Sequence, residues 1–297
     1  MTTVQLIHNP GAGDETHSKE ALIQLIESAG YVCRYSSTKD NNWQNFDLNT
    51  NLIAIAGGDG TVKKVAAALL KKEPAVKQLP VAILPYGTAN NIAGSLNIKG
   101  SPADIISSWE LRKTISIDVG KVNNSIEHGC FIESFGYGLF PYVIKEMERQ
   151  GKNDIEDKNT RMKEALKLMH DFSHSYRPHH CELYIDGKDH SGTFLMAEIM
   201  NTRFIGPNLF LSPHGHPGDG AFEVVLIPGE DQQKFAAYID SKINDAEVVY
   251  SFITIKAEDV RIKWEGTHVH IDDELPDVKE NAPVHVQIQK NALVFLI

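Results

Sequence analysis

Cysteine is scarce in this chain: only Cys33, Cys130 and Cys181 occur. An odd number at wide spacing excludes a disulfide framework and a thiolate zinc motif, and it points to a reducing compartment, the cytoplasm. Long apolar runs are also missing, and no segment approaches the length of a membrane span. The chain enters directly on Val4-Gln5-Leu6-Ile7, without the basic and apolar stretches of a signal peptide. Positive charge is in deficit: 29 Lys and Arg against 39 Asp and Glu give a net charge of −10. That excludes nucleic acid as a partner, because its phosphates require a basic surface. It leaves at most weak peripheral contact with an anionic membrane. Internal repeats, low-complexity tracts and coiled-coil heptads are absent too.

What is present is an ordinary globular composition. With 297 residues, 42% hydrophobic and 23% charged, the chain has room for two domains. Residues 1–122 alternate strand and helix signals. Strands are expected at 3–8, 31–35, 52–56 and 80–84, and helices at 18–29, 62–72, 88–95 and 102–111. In the first helix Leu22, Leu25, Ile26 and Ala29 recur at i, i+3, i+4 and i+7. This rhythm predicts a parallel sheet with helices on both faces. Ligands of such sheets sit at the carboxyl ends of the strands, where the loops 9–13, 57–61 and 86–91 fall.

From about Lys113 the texture changes. Strand-like segments recur at 113–122, 128–134, 181–186, 193–200, 222–227, 251–255, 259–264, 268–272 and 284–289, punctuated by turns such as Asp186-Gly187 and Asp219-Gly220. The expected organisation is an α/β domain over 1–122 and a mostly antiparallel β domain over 123–297. A helical insert near 140–180 carries the stripe Met162, Ala165, Leu166, Met169 and Phe172, preceded by a polar loop at 153–157.

The strongest chemical signal is Gly57-Gly58-Asp59-Gly60-Thr61, between an apolar strand and a helix start. Glycines let backbone approach a phosphate, and helix N-terminal N–H groups favour the anion. A carboxylate in such a cradle repels the ligand unless a cation sits between them. Asp59 therefore points to a nucleotide with Mg²⁺ and to phosphoryl transfer; a ligand-free turn is the rival reading. The loop Leu84-Pro85-Tyr86-Gly87-Thr88-Ala89-Asn90-Asn91 offers Thr88 as an N-cap, a phosphate contact, or both. The first loop offers Asn9 and the backbone N–H groups from Gly11 to Asp14.

His8-Asn9-Pro10-Gly11-Ala12-Gly13, the 57–61 turn, Gly87-Thr88-Ala89-Asn90-Asn91, Ile117-Asp118-Val119-Gly120 and Asp219-Gly220-Ala221-Phe222 occur in that order. The series resembles the diacylglycerol kinase catalytic-domain family, which includes bacterial lipid kinases and sphingosine kinases; NAD kinases share the Gly-Gly-Asp-Gly turn. The resemblance spans nearly the whole chain. It implies a phosphofructokinase-like α/β domain that holds ATP over Asn9, Gly11, Gly57, Gly58, Asp59, Gly60, Thr61, Gly87, Thr88 and Asn91. It also implies a C-terminal β-sandwich that supplies the acceptor site and the base.

The same resemblance assigns carboxylates. Asp59 and Asp118 would join a water-mediated Mg²⁺ network. Lipid kinases often continue Gly-Thr-x-Asn-Asp, and Asn91 at the last position leaves the network one charge poorer. The base would come from Asp272-Asp273-Glu274, matching an Asp-Gly-Glu turn. Asp272 takes the acceptor proton, and Glu274 orients it or acts as the base itself. Asp273 replaces the family glycine, a position where Asp tolerates left-handed backbone better than most residues. A structural Mg²⁺ would sit on Asp219 with the carbonyls of His216 and Ala221; Gly218 stands where relatives carry a second carboxylate, so a plain turn is a serious rival.

Thirteen histidines include His170 and His174 at i, i+4, His214 and His216, and the alternating His268, His270 and Asp272. None reaches zinc-site spacing. His270 is expected to share a face with Asp272 and to contact the acceptor or a phosphate. Phe135, Tyr137, Leu139, Phe140 and Tyr142, with Phe204-Ile205 and Leu209-Phe210-Leu211, fit either a lipid groove or a core. The expected activity is therefore ATP- and Mg²⁺-dependent phosphorylation of a lipid or lipid-like alcohol. The alternatives are a non-catalytic nucleotide- or lipid-binding relative and an NAD kinase-like enzyme. Family relatives often dimerise, and a homodimer stays open.

Overall fold

A computed structural model of the chain describes residues 1–12, 17–46, 49–126, 129–152, 155, 157–246 and 250–297. The Gly13 and Asp14 N–H groups expected to serve the first loop, and parts of the polar loop before the helical insert, lie outside these residues. The chain forms two compact units, residues 1–118 with 290–297, and residues 119–289.

Unit 1 begins with β1 (Thr3–His8), α1 (Lys19–Ser28), β2 (Val32–Ser37), β3 (Leu52–Gly57), α2 (Asp59–Leu70), α3 (Pro74–Lys77), β4 (Val81–Pro85), α4 (Asn91–Ser95) and α5 (Pro102–Ser108). The strands lie in the order β2-β1-β3-β4 and every pair is parallel. Every residue of β3 is buried, as expected for an inner strand covered on both faces. Leu52, Ala54 and Ala56 share one core cluster with Leu22 and Ile26 of α1 and Ile105 and Ile106 of α5. Ile53 and Ile55 point the other way. Ser18 caps α1, and a Ser101/Asp104 capping box starts α5.

Register fixes where the loops emerge. His8 pairs Ala56, Ala56 pairs Leu84, and Gly57 pairs Pro85. The segments after β1, β3 and β4 therefore leave adjacent strands at one carboxyl edge.

Unit 2 contains β5 (Thr114–Asn124), which begins in unit 1, then β6 (Gly129–Phe131), β7 (Ser134–Gly138), α6 (Leu139–Arg149), α7 (Lys158–Ser175), β8 (His179–Ile185), β9 (Lys188–Asp189), β10 (Gly192–Met200), β11 (Phe204–Ile205) and β12 (Leu209–Phe210). It continues with β13 (Phe222–Pro228), α8 (Gln232–Ile243), β14 (Ile253–Ala257), β15 (Asp259–Trp264), β16 (Val269–Ile271) and β17 (Pro283–Leu296), whose end belongs to unit 1. The pairs β10–β13, β10–β7, β13–β14, β15–β17, β15–β8 and β16–β7 are all antiparallel. Strand β10 forks the sheet: residues 192–194 pair β8, while residues 196–200 pair β7. Apolar side chains from both branches, Phe135, Tyr137, Leu183, Phe222, Val260 and Trp264 among them, enclose one core. Helices α6, α7 and α8 close a second core with Met196, Val225 and Ile227.

Two features depart from the expectations. The chain divides at 118/119, and residues 290–297 return to unit 1 because β17 continues beside β4 in parallel, with Phe295 paired to Val81. The sequence pattern alone places the boundary at 122/123 and carries the second domain to 297. Helix α8 was not read from the sequence; its apolar side is set by packing against β13.

Candidate functional site

In unit 1 the glycines act by contact. A Cβ placed on Gly58 would lie 2.6 Å from the Gly87 Cα. The two loops thus touch backbone to backbone, and no other residue fits at either position. A Cβ on Gly57 would meet Thr61 Oγ1 at 2.6 Å, so that glycine gives the Thr61 hydroxyl its place. Asn9 Nδ2 donates to the same hydroxyl at 3.0 Å, and Asn9 Oδ1 accepts from Gly11 N at 3.2 Å. Gly58 is the N-cap of α2 and no side chain caps that helix, while Gly60 lies in its first turn. A helix start of this kind favours an anion.

The carboxylate that looked misplaced has a structural partner. Asp59 Oδ2 accepts from Asn91 N and Oδ1 from Ile92 N, both at 3.0 Å. Asp59 stands in the first turn of α2 and at the N-terminus of α4, so two helix ends stabilise one negative charge. Thr88 is not the cap of α4. The cap position is Asn90 in left-handed backbone at φ 53°, and its own side chain does not cap. Asn90 Oδ1 instead accepts from Gly87 N at 2.8 Å, and Nδ2 donates to Gly87 O at 3.0 Å. Asn90 thus folds the 86–91 loop on itself, while Asp59 ties it to the 57–61 loop. Thr88 stays in the loop, half-buried.

Asp118 is 1% exposed, and its Oδ1 accepts from Asn291 N at 2.8 Å. Asn291 has φ 53°, which bends β17. The carboxylate clasps the point where the chain leaves unit 1 to the point where it returns. Among the described residues no cluster of three His, Cys, Asp or Glu side chains forms a protein-only metal cage. Both carboxylates already accept backbone N–H groups, so any Mg²⁺ held here would have to bring phosphate oxygens and waters as ligands.

Behind the first loop lies a chain of rings. His17 Nε2 donates to Ala12 O at 2.8 Å, which leaves His17 Nδ1 to accept from His8 Nε2 at 2.9 Å. His8 Nδ1 then accepts from Tyr35 Oη at 3.0 Å. Burial, with His17 second, lowers the His8 pKa to about 4.

In unit 2 the 272–274 turn is tightly held. Ile271 N donates to Glu274 O at 2.9 Å and Glu274 N to Ile271 O at 3.0 Å. The left-handed residue is Asp272, at φ 50°, and Asp273 is not among the positive-φ residues. A side chain at 273 therefore meets no backbone penalty. The Asp272 carboxylate is 5% exposed and accepts from Glu133 N at 2.9 Å, Ser134 N at 3.1 Å and Ile132 N at 3.4 Å. Glu274, two residues on, is exposed.

His270 does not face a ligand. Its Nδ1 donates to the Asp272 carbonyl and its Nε2 meets Glu198 Oε2, both at 2.7 Å, with both side chains 0% exposed. Burial pushes the Glu198 carboxyl up, and Glu198 beside it pushes His270 up against its own burial. The pair retains a shared proton, since either loss or gain would leave net charge buried. His268 Nδ1 pairs with Tyr176 Oη at 3.1 Å instead. His170 and His174 contact each other at 5.1 Å between ring centres.

The Asp219 turn is closed by its own hydrogen bonds and faces a lysine. Asp219 Oδ2 lies 2.8 Å from Lys256 Nζ, and Oδ1 accepts from Ala221 N at 3.2 Å. The His216 carbonyl accepts from Asp219 N at 3.3 Å. Ala221 turns an N–H toward the carboxylate, and a lysine fills the cationic place. Of the apolar residues that fitted a groove or a core, Phe135, Tyr137, Leu139, Phe140, Ile205, Leu209 and Leu211 are core, and Phe210 is 36% exposed.

Sequence reasoning missed Asn90, Glu198, Lys256 and the backbone N–H groups of 132–134. Glu198 carried a signal, as the one charge within Leu195-Met196-Ala197-Glu198-Ile199-Met200. Lys256 and the N–H groups carried none, because their roles depend on pairing across distant strands.

Comparison with known proteins bears on the family and the fold. Residues 3–122 match the model of the diacylglycerol kinase catalytic domain, and residues 151–297 match that of the YegS C-terminal NAD kinase beta sandwich-like domain. A diacylglycerol kinase of Bacillus subtilis (strain 168) is 26% identical over 314 residues, covering 97% of this chain and 96% of that protein. A crystal structure of a diacylglycerol kinase from Bacillus anthracis str. Sterne superposes with a TM-score of 0.73 at 19% identity, covering 99% of this chain and 96% of the other. Yeast NADH kinase complexed with NADH superposes at 0.54 with 12% identity, covering 97% and 78%. These two likenesses show the fold.

Proposed function

We propose, from the premise that this chain belongs to the diacylglycerol kinase catalytic-domain family, that it transfers the γ-phosphoryl group of ATP to the hydroxyl of a diacylglycerol-like or other lipid alcohol. The observation that carries this reading is the Gly58–Gly87 contact. It puts an uncapped helix start beside the 86–91 loop at one edge of a parallel sheet. The relative in Bacillus subtilis bears the name of that activity, which supports the acceptor class.

The chain's own groups divide the work. Backbone N–H groups at the start of α2, with Asn9, Thr61 and Thr88, hold the ATP phosphates. Asp59 and Asp118 would hold Mg²⁺ through water, and the ion would supply charge neutralisation on the phosphates. Asp59 also keeps the two phosphate loops in register. In unit 2, Asp272 is committed to three backbone donors and acts as the anchor of its turn. Glu274, exposed on that turn, takes the proton of the acceptor hydroxyl. The hydroxyl oxygen then bonds to the γ-phosphorus, the bond to the β-phosphate oxygen breaks, and ADP leaves with that electron pair. Positioning and electrostatics supply most of the rate.

The net charge of −10 supports weak peripheral contact with membranes. No helix among the described residues is long and apolar enough to cross one. Three cysteines at wide spacing support a cytoplasmic location.

The test is transfer from γ-labelled ATP to a panel of lipid alcohols and NAD. Label in a lipid phosphate, falling on the order of 10²- to 10⁴-fold in Glu274→Gln, is the expected result. Label in NAD alone, or ATP binding without transfer to any acceptor, overturns the reading.

A further inference from the structure

The Asp219 turn differs from what the family resemblance calls for, and the difference is chemical. A structural divalent ion there needs the Asp219 carboxylate and two inward carbonyls, those of His216 and Ala221. In this chain two of those three donors, the Asp219 carboxylate and the His216 carbonyl, already accept hydrogen bonds. Asp219 Oδ1 closes the turn by accepting from Ala221 N at 3.2 Å. The His216 carbonyl accepts from Asp219 N at 3.3 Å, and His216 Nδ1 lies 3.3 Å from Gly218 N. Asp219 Oδ2 is 2.8 Å from the Lys256 ammonium.

Strand pairing puts Lys256 there. It stands on β14 directly opposite Glu223 of β13, just beyond the turn. Opposite partners of an antiparallel pair share a face. Glu223 is 5% exposed, so the lysine stem runs past one buried carboxyl and delivers its charge to a second at the turn. Charge balance follows the same line. With Gly218 in place of a second carboxylate, the turn itself carries one negative charge, and one ammonium neutralises it. A divalent ion added beside Lys256 would face a like charge, with the Asp219 carboxylate as its one carboxylate from the turn itself.

We infer that the Lys256 ammonium replaces a divalent ion at the Asp219 turn, so that this chain holds the β13 entry without metal. The consequence is that Mg²⁺ acts on this protein only with its nucleotide. A metal requirement for folding, which a structural ion would impose, is absent.

Full-length protein without nucleotide separates the cases, with Mn²⁺ as the probe read by electron paramagnetic resonance. Wild type is expected to bind no Mn²⁺ that Asp219→Asn removes, and to melt at the same temperature in Mg²⁺ and in EDTA. Lys256→Met is expected to gain one Mn²⁺ per chain and to melt higher in Mg²⁺ than in EDTA. The Asp219→Asn, Lys256→Met double variant loses both gains, and Lys256→Arg behaves as wild type. A wild-type Mn²⁺ that Asp219→Asn removes overturns the inference and needs no folded lysine variant. A folded Lys256→Met protein with neither gain overturns it as well.

Discussion

Glu198 and His270 meet across a strand that separates them. Glu198 lies opposite Gly136 in the β10–β7 register, and His270 lies opposite the same Gly136 in the β16–β7 register. The missing side chain at Gly136 is the gap through which the two reach each other at 2.7 Å; a Cβ there would collide with the Glu198 carboxyl. The other His270 nitrogen holds the carbonyl of Asp272, whose left-handed backbone shapes the turn bearing Glu274.

This arrangement predicts the effect of breaking it. His270→Gln leaves Glu198 buried without its charged partner, and the loss of stability is expected at about 3–5 kcal/mol. Gly136→Ala is expected to act in the same direction, because the methyl displaces the carboxyl. Urea unfolding of each variant measures this. A His270→Gln change below about 1 kcal/mol would mean the pair adds nothing beyond a neutral hydrogen bond.

Asp59 serves the loops before it serves any ligand. Asp59→Ala removes both acceptors from the start of α4. A destabilisation of about 2–4 kcal/mol is expected, from two hydrogen bonds to a charged group. Thermal denaturation without nucleotide reads it. Unchanged melting would return Asp59 to a purely ligand-directed role.

Gly58→Ala places a methyl against Gly87 and separates the two loops. ATP-induced thermal stabilisation is expected to fall at least about tenfold in apparent affinity, since the cradle depends on that contact. Gly30→Ala, remote from the site and at φ 85°, controls for general loss of stability. If both variants bind ATP as wild type does, the cradle lies elsewhere.

His8 makes stability depend on pH. Unfolded, it takes a proton near its ordinary 6.5; folded, its pKa falls to about 4. Between these values the unfolded chain binds more protons, so stability is full above about pH 6.5 and declines as pH falls toward 4. The loss amounts to roughly 3 kcal/mol. Denaturation at pH 7 and pH 4.5 measures it, and His8→Gln is expected to flatten the slope. An equal slope in both proteins would assign the effect to other groups.

The amount legible in the sequence varied with the range of the interactions involved. The first four strands, α1 and the strand–turn–helix at 52–61 follow from local patterns, because apolar periodicity and glycine placement are properties of neighbouring residues. The 86–91 loop was legible as a loop but not in its wiring: Thr88 is the obvious cap by composition, yet Asp59, about thirty residues earlier, supplies the acceptor. His270 was assigned a ligand-facing role from strand alternation alone. Alternation gives a side, but it does not tell which side is core.

By itself the sequence determined that there are two kinds of architecture and that glycine-rich turns end strands of the first. Those are consequences of period and of backbone permissiveness, carried within a few residues. Only the tertiary structure decided that residues 290–297 rejoin unit 1, that Gly136 opens a window between Glu198 and His270, and that Lys256 stands at Asp219. Each of these brings together residues dozens of positions apart or more. Such pairings are set by sheet register and burial, which no local pattern encodes.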